Sequence, residues 1–444
     1  MKNQNWLKNI GYLDSISRAM QSTSNQISHL LVGSLGGMFG TAVSLRVSIA
    51  FYSSLFLEVP SGLLADRLGH FKTVALGNWF SAIALLILYC SLATADNINN
   101  QITLLIISSF LSAIAMSLIS GAYQAMLQDL IDYQIIKHGE ESTLRTKALL
   151  LSQRYGKEIV SIVPVLFLLL LLVLYRTIGH AEIILFIPTI MFIGLGIWLW
   201  CFPQLSGMHE NLGKKNDHIR RKSTLRHFIL YMRELSHTQF LIFLKLSIVI
   251  ILLNFSMIHV HTYLMISEFR EYNIIQVEID YLIPLFFFII SFDVAHYIKG
   301  VIVPRVAAKF SDNTMIMISF VSLMLLSGLC YLLYLYFNGI LALTLYVLFF
   351  RTTVTIGQDV AISNFLSRLP EEIRAFSLSL ITGTVIILYG AYSVYLTFTG
   401  IGAEPAQYIL LEIAVIALIG GLLTFYIKTT PQIDTENSVF NSMN

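Results

Sequence analysis

Apolar residues follow one another along this chain in blocks that polar segments separate. Each block has about 20 residues, the length that an α-helix needs to cross a hydrocarbon core of roughly 30 Å. Two spans are predicted before Asp66, a polar one between Asp14 and Gly36 and a second over FGTAVSLRVSIAFYSSLFLEVPSGLLA. Ten clearer spans follow, at residues 72–94, 102–128, 147–174, 181–203, 238–264, 281–306, 313–337, 339–366, 375–398 and 406–427. The pattern therefore predicts twelve transmembrane helices.

The longest polar stretch, here called the linker, covers residues 204–236 and separates six predicted spans from six. It predicts an N-terminal six-helix bundle at 1–203, a C-terminal six-helix bundle at 237–428 and a tail at 429–444. The linker is basic, which fits solvated sequence beside a membrane, a regulatory site or an amphipathic helix on anionic lipid. Lys and Arg lie in alternate loops, and positive residues are retained in the cytoplasm, so both termini and the linker are expected there.

Composition excludes a water-soluble globule. Hydrophobic residues make up 56% of the chain and charged residues 12%, with a mean hydropathy of +0.73, whereas soluble domains carry roughly 25% charged residues. The net charge of +2 gives no strong surface for a polyanion, so nucleic acid is not an expected partner. The cysteines Cys90, Cys201 and Cys330 lie in apolar segments without CxxC spacing, and we expect them to pack instead of binding metal.

A short motif lies where the second predicted span meets the third, in the segment EVPSGLLADRLGHFKTV. Gly62 permits close contact between helices, and Gly69 allows a tight turn before Lys72 anchors the next helix. Asp66 and Arg67 leave the membrane side by side, and such a pair at a helix junction is able to form a breakable latch. An ordinary positive-inside turn would fit DRLGHFK almost as well.

The spacing of this motif resembles the major facilitator superfamily signature G-x-x-x-D-R-x-G-R-K, from which it departs at His70 and Phe71. The preceding EVPSG resembles the E-I-P-T-G of a group of presumed drug exporters, and the segments ISGAYQAMLQDL and LPEEIRAFSLSL agree with that group. The resemblance implies an all-α membrane fold of twelve transmembrane helices in two pseudo-symmetric six-helix bundles. It also implies secondary transport by alternating access.

The same resemblance implies a gate on the cytoplasmic side. Asp66 and Arg67 would join Asp129 of the fourth span and the N-terminal end of the eleventh span in a network that closes this side. The equivalent turn of the second half, GVIVPRVAAKFSDN, has no aspartate directly after its glycine. Closure is therefore expected to depend mainly on the N-terminal half.

Polar residues inside the predicted spans are candidates for a substrate cavity, because a charged side chain at mid-helix costs at least about 2.5 to 3.5 kcal/mol unless it faces water or a partner. The candidates are Arg18, Gln21, Asn25, His29, Arg154, Glu158, Lys245, Arg351 and Asp359. The first four share one face of the first span, unless the chain stays cytoplasmic until Gln26. Arg154 and Glu158 have ion-pair spacing, so a structural pair or an interfacial position explains them equally well. The cationic positions, including Lys299, favour a substrate with an anionic group.

Proton coupling is assigned to Asp293, His296 and Glu58. Asp293, His296 and Lys299 recur at steps of three on an otherwise apolar helix, where a buried carboxylate beside a cation is able to load and release a proton. Asp293 is the leading candidate and His296 its modulator, with a static pair between Asp293 and Lys299 as the alternative. Glu58 is interpreted first as a hydrogen-bond acceptor and second as a titrating group.

The sequence has no G-x-x-x-x-G-K-[ST] nucleotide loop, no HExxH and no serine nucleophile elbow. We therefore expect no enzyme activity and no cofactor, with an ion gradient as the energy source. The leading hypothesis is a monomeric, proton-coupled exporter in the lipid bilayer of a bacterial inner membrane. Its substrate would be a small charged or amphipathic compound, such as a drug, a peptide-like or nucleotide-like antibiotic, or a metabolite. Export rests on the resemblance alone, and the alternative is a proton-coupled importer of a polar nutrient such as an amino acid, peptide or organic acid.

Overall fold

The computed structural model of the protein is helical wherever its described residues take regular secondary structure. The described residues are 5–33, 39–93, 98–138, 148, 152, 155–177, 181–205, 224–260, 290–291, 294–295, 297–303, 305, 309–336, 339–370, 373–398 and 406–425.

Twelve α-helices lie in this part of the chain. In chain order they are α1 (Asn5–Gly33), α2 (Phe39–Leu68), α3 (His70–Ala93), α4 (Ile98–His138), α5 (Lys157–Thr177), α6 (Phe186–Leu205), α7 (Thr224–Glu234), α8 (His237–His259), α9 (Asp312–Tyr336), α10 (Gly339–Leu366), α11 (Arg374–Phe398) and α12 (Ala406–Phe425). A 3₁₀ turn, Ala181–Leu185, precedes α6. Helical residues at 297–303, here called the Lys299 segment, lie between α8 and α9.

Five stretches of the described residues are long and apolar enough to cross a membrane. They are His70–Ala93, Asn99–Ile135, Glu182–Phe202, His237–Met257 and Asp312–Leu333. Shorter apolar stretches lie in α11 and α12. Eleven of the twelve predicted spans coincide with α1 to α6 and α8 to α12, and the remaining one, 281–306, is described only in part. The predicted all-α membrane fold is confirmed.

The fifth predicted span differs from the helix that the structure describes. The pattern predicts one helix from residue 147; the described residues 148 and 152 are helical, but a bend at residues 155–156 comes before α5, which begins at Lys157. Gly156 precedes it with a φ of 76°, in the left-handed region that favours glycine. The hydroxyl of Ser15 in α1 donates a hydrogen bond of 3.1 Å to the carbonyl of Tyr155. This bend therefore serves as a packing site for α1, which apolar periodicity does not reveal.

Buried hydrophobic clusters divide at the linker. One cluster extends from Leu246 to Ala417 and lies wholly in the C-terminal half. The N-terminal half holds two clusters, and the larger one also includes Ala375 of α11. Separate cores are what two helical bundles need in order to move as bodies, because close-packed interiors resist deformation. The exception, Ala375, marks the place where the halves meet.

The halves meet where α11 packs against α2 and α4, a contact here called the seam. A Cβ on Gly62 of α2 would lie 2.8 Å from the Cβ of Ser379 and 3.0 Å from the Cα of Phe376. A Cβ on Gly121 of α4 would lie 2.5 Å from the Oγ of Ser379. Both glycines thus allow α11 to approach more closely than any side chain would permit.

Candidate gate and charge cluster

The gate lies where α2 and α4 end and α11 begins. This is here called the basic end, because its residues include Arg67, Lys72, Lys137 and Arg374. Gly69 alone joins α2 to α3, with a φ of 92°, and its N–H donates to the carbonyl of Ala65 at 2.9 Å. This left-handed turn favours glycine, and it places His70 next to the end of α2.

His70 lies buried between carboxylates from two helices. Its Nδ1 is 2.6 Å from Oδ2 of Asp129 in α4, and its Nε2 is 3.2 Å from Oδ1 of Asp66 in α2. Both ring nitrogens face acceptors, an arrangement that a doubly protonated ring satisfies. From the sequence, His70 is a departure from the signature with no predicted role. The available signal was that the signature has a basic residue at this position.

The start of α11 bonds to this group from the other half of the protein. The Nη1 of Arg374 lies 2.9 Å from Oδ2 of Asp132 and 3.4 Å from Oδ1 of Asp129. The N–H of Phe376 donates to Oδ2 of Asp66 at 3.1 Å. Asp66 therefore accepts a hydrogen bond in the first turn of a helix from the other half, where the helix dipole favours a negative charge. These bonds hold the two halves together at the basic end.

The other two basic residues of the motif lie at the edge of the gate. Arg67 is exposed. The Nζ of Lys72 lies 5.5 Å from the ring centroid of Trp200 in α6, so Lys72 braces α3 against α6 within one half. Asp66, Asp129 and the start of α11 thus lie together, as in the implied network. The basic residues nearest to the carboxylates are His70 and Arg374.

A second set of charges, here called the charge cluster, joins α1 to the C-terminal half. In α1 the Nε of Arg18 lies 2.8 Å from Oδ1 of Asp14, and the hydroxyl of Tyr123 donates to the same oxygen at 3.0 Å. In the C-terminal half the Nζ of Lys299 is bonded to Oδ2 of Asp359 in α10. The two pairs approach where Nη2 of Arg18 lies 3.9 Å from Oδ1 of Asp359.

The charge cluster contains two carboxylates and two cations, so it is neutral overall. Such balance is required of buried charges, because an unpaired one costs several kcal/mol. Arg18 and Lys299 each face a carboxylate, so the expectation that they attract an anionic substrate is not supported by their surroundings. Lys299 is bonded to Asp359, whereas Asp293, considered as its partner from the sequence, lies outside the described residues, so that pairing stays a prediction. Asp14 was missed, although its spacing of four residues from Arg18 was a usable signal.

Glu58 lies in the seam, 2% exposed. The hydroxyl of Ser120 in α4 donates to its Oε2 at 2.8 Å. A Cβ on Gly383 of α11 would lie 3.7 Å from the Cβ of Glu58, so the backbone of α11 passes beside this residue. A carboxylate is thus enclosed by α2, α4 and α11 at the contact that must separate if the basic end opens.

The remaining predicted cavity residues are scattered. Gln21, Lys245 and Arg351 are half-buried, and Asn25 is exposed. Glu158, considered as a partner of Arg154, is exposed, and its Oε1 lies 3.9 Å from Nζ of Lys157. The residues that fall outside the described part are Arg154, Asp293, His296 and the side chain of His29.

Polar contacts in the C-terminal half were also missed. The amide of Gln358 in α10 donates to Oδ1 of Asn254 in α8 at 2.5 Å. The hydroxyl of Tyr392 in α11 is 2.7 and 2.8 Å from the two carboxylate oxygens of Glu412 in α12. Glu412 is a carboxylate within a predicted span, and that was a sufficient signal to consider it.

Solved transporter structures share this fold at low sequence identity. The fucose:proton symporter of E. coli matches with a TM-score of 0.60 and 13% identity, over 96% of this chain and 100% of that one. A proton:xylose symporter matches with a TM-score of 0.64 and 11% identity, over 95% of each chain. A bacterial homologue of the iron transporter ferroportin, in an outward-facing state, matches with a TM-score of 0.63 and 14% identity, over 95% of this chain and 98% of that one. Identities this low support the fold alone.

No curated protein sequence matches the chain. The sequence profile described as Major Facilitator Superfamily matches residues 16–393, which include the gate, the seam and every member of the charge cluster except Asp14. The motif EVPSGLLADRLGH, the two halves that meet along α11 and the shared fold agree with that match. The chain belongs to the Major Facilitator Superfamily, a family of multi-pass membrane transporters.

Proposed function

We propose that this protein is a proton-coupled exporter of a small charged or amphipathic compound, with the basic end facing the cytoplasm of a bacterium and the monomer as the working unit. Membership of the superfamily is consistent with secondary transport by alternating access. The observation that carries the proton-coupling part is the position of Glu58, buried in the seam between the halves. Export is supported by the resemblance of EVPSG to the exporter motif.

The gate supplies the conformational part of the proposal. Opening the basic end requires Arg374 to leave Asp129 and Asp132, and Asp66 to leave the N–H of Phe376. These groups lie near the helix ends, where entering water replaces the lost hydrogen bonds. The cost of opening is therefore moderate, as alternating access requires.

Glu58 couples opening of the basic end to the movement of a proton. A neutral carboxylic acid fits a seam in which Ser120 is the described hydrogen-bond donor to its carboxyl group, whereas a carboxylate there has no cation beside it among the described residues. Loss of the proton therefore favours separation of α2 from α11 and entry of water at the basic end. A proton that enters from outside would in this way be released to the cytoplasm, and the open basic end would then accept the substrate. Asp293 and His296 remain predicted contributors.

A second candidate is a proton-coupled importer of a zwitterionic nutrient such as an amino acid or peptide. The observation that favours it is the neutral charge cluster, in which a carboxylate and a cation of each half lie side by side. A zwitterion is able to exchange partners with both pairs and leave no charge unpaired.

Expression of the protein in efflux-deficient bacteria tests the choice. Expression of the chain is expected to protect such cells against at least one compound of an antibiotic panel, and Glu58→Gln is expected to remove the protection. Glu158→Gln is the matched control, because it neutralises an exposed carboxylate at the edge of α5. Proton-driven uptake of labelled amino acids or peptides without any protection would instead establish the importer.

A separate assay isolates the role of Glu58. For any substrate found, Glu58→Gln is expected to abolish accumulation driven by a pH gradient across proteoliposomes, while exchange of labelled for unlabelled substrate continues. If the variant still accumulates substrate against its gradient, Glu58 does not carry the proton.

A further inference from the structure

The helix within the linker, α7, lies against the gate. The ring of Phe228 packs edge-on against that of Phe376, with centroids 5.2 Å apart and an interplanar angle of 79°. The hydroxyl of Tyr231 donates to the carbonyl of Arg368 at 2.9 Å. Burial raises the pKa of this hydroxyl, which keeps it protonated as a donor. Because Phe376 also bonds Asp66, α7 contacts the residue through which the gate closes.

The opposite side of α7 carries large apolar residues that the protein leaves uncovered. Leu225, Ile229 and Leu230 are 46%, 55% and 38% exposed. Arg226 and Arg233, also exposed, lie between them around the helix. Apolar residues interleaved with arginines on one exposed helix face are the composition of helices that lie in the membrane interface.

The position of α7 along the chain brings that face to the membrane surface. It ends at Glu234, and α8, which is long and apolar enough to span, begins at His237. Ser236 caps α8 through its hydroxyl, which accepts from the N–H of Gln239 at 3.3 Å. The turn between the helices is therefore short and fixed, so α7 is held at the level where α8 enters the bilayer. The linker sequence before α7, GKKNDHIRRKS, is also strongly basic.

We propose that the outer face of α7 docks on anionic lipid headgroups at the basic end, and that Phe228 and Tyr231 on its inner face thereby hold the gate closed. Charge complementarity selects the occupant, because basic residues beside a membrane attract anionic lipids and apolar side chains enter the headgroup region. Lipid composition then acts on the equilibrium between the open and closed basic end. This inference concerns regulation of the gate and does not depend on the substrate, the coupling ion or the direction of transport.

Docking is tested with a fluorophore on the outer face. Ile229→Cys is labelled with an environment-sensitive dye in the full chain, after the cysteines are replaced at Cys90, Cys201 and Cys330. The protein is reconstituted in phosphatidylcholine alone or mixed with phosphatidylglycerol, with a spin-labelled lipid as quencher. We expect strong quenching in the mixed vesicles and weak quenching in phosphatidylcholine. A dye that aqueous quenchers reach equally in both vesicles would overturn the proposal.

Two pairs of substitutions distinguish the arginines of α7 from positive charge elsewhere on the protein. Arg226→Gln with Arg233→Gln is expected to lower the ratio of docked to free α7 by about fivefold per arginine, equivalent to about 1 kcal/mol each. Arg305→Gln with Lys309→Gln removes the same charge from exposed positions outside α7 and is expected to leave quenching unchanged. Equal loss of quenching in both pairs would contradict a specific role for α7.

Coupling to the gate is tested by hydrogen exchange at the start of α11 in nanodiscs of the two lipid compositions. We expect the amide of Phe376 to exchange more slowly when phosphatidylglycerol is present. Phe228→Ala is expected to remove this lipid effect while the dye at position 229 still reports docking. Exchange that is the same in both lipids, or a lipid effect that survives Phe228→Ala, would overturn the link between α7 and gate closure.

Discussion

The gate and the charge cluster both join the two halves of the protein, but they distribute their bonds differently. In the charge cluster the close pairs lie within a half: Arg18 with Asp14, and Lys299 with Asp359. Between the halves, the described residues of the cluster approach at 3.9 Å, where Nη2 of Arg18 faces Oδ1 of Asp359. When the halves move apart, each cation keeps its carboxylate. The cluster is therefore able to open without creating an unpaired buried charge.

In the gate, by contrast, two close bonds run between the halves. Arg374 of α11 reaches Asp132 at 2.9 Å, and Phe376 N–H reaches Asp66 at 3.1 Å. Separation of the halves breaks each of these, although His70 retains its two carboxylates within the N-terminal half. We therefore propose that the gate controls closure of the basic end, whereas the charge cluster stabilises each half and yields when the gate opens.

Removing the cation of the gate is expected to have the largest effect. Arg374→Gln should destabilise the closed basic end by about 3 to 5 kcal/mol, because it leaves buried carboxylates without their partner from the other half. The measurement is the alkylation rate of a cysteine at Ser379, a buried seam residue, which should rise. The control is Arg368→Gln, at an exposed position in the turn before α11. Equal alkylation rates in the two variants would contradict the role of Arg374 in closing the basic end.

Removing one carboxylate of the charge cluster is expected to affect the stability of the fold more than closure of the basic end. Asp359→Asn should lower the melting temperature, because Lys299 loses its bonded carboxylate, at a cost of roughly 3 kcal/mol. Adding Lys299→Met should recover part of that loss, as a double-mutant cycle would measure. Alkylation at the seam should change little. An Asp359→Asn variant that opens the seam as far as Arg374→Gln would make the cluster a second gate.

Crowding the seam should give a smaller effect. Gly62→Ala places a methyl group 2.8 Å from Ser379, so α11 must shift outward at a cost of about 1 to 3 kcal/mol to the closed state. Gly194→Ala in α6 is the matched control, because a Cβ there meets nothing within 4 Å. Seam alkylation should rise in the first variant and stay at its original rate in the second. The reverse order would show that close approach at Gly62 does not matter.

The smallest effect is expected at Arg67, even though the family resemblance includes it in the gate. Its side chain is exposed, so Arg67→Gln should change closure by less than about 0.5 kcal/mol. His70→Gln provides the contrast, because His70 is buried between Asp66 and Asp129. If seam alkylation rises as much in Arg67→Gln as in His70→Gln, the gate includes Arg67 in a way that its exposure does not indicate.

The sequence predicted the features that depend on residues close together in the chain. Apolar blocks of spanning length located the helices, and the glycines of the motif located the turn at Gly69 and the close contact at Gly62. The motif also indicated that Asp66 and Asp129 lie near the start of α11. These features depend on neighbours in the chain, on helix geometry or on a known spacing.

The rest could not be read from one sequence because it depends on which helices pack together. Arg374 and Asp129 are 245 residues apart, and Lys299 and Asp359 are 60 residues apart. Polar residues in different spans carry no mark of their partner, so Lys299 was considered with Asp293 on the same helix. His70 was set aside for a similar reason: a mismatch to a signature does not reveal that the side chain lies between two carboxylates.

In the proposed function, the proton on Glu58 controls opening of the basic end. This role of Glu58 is tested most directly by the distance between spin labels at Lys137→Cys of α4 and Lys309→Cys before α9, both exposed and in different halves. Raising the pH should lengthen this distance in the otherwise unaltered protein, because an ionised Glu58 is unfavourable in the closed seam. With no substrate present, Glu58→Gln should hold the short distance at every pH, and substrate alone should open the variant. A pH response that survives Glu58→Gln unchanged would contradict the account.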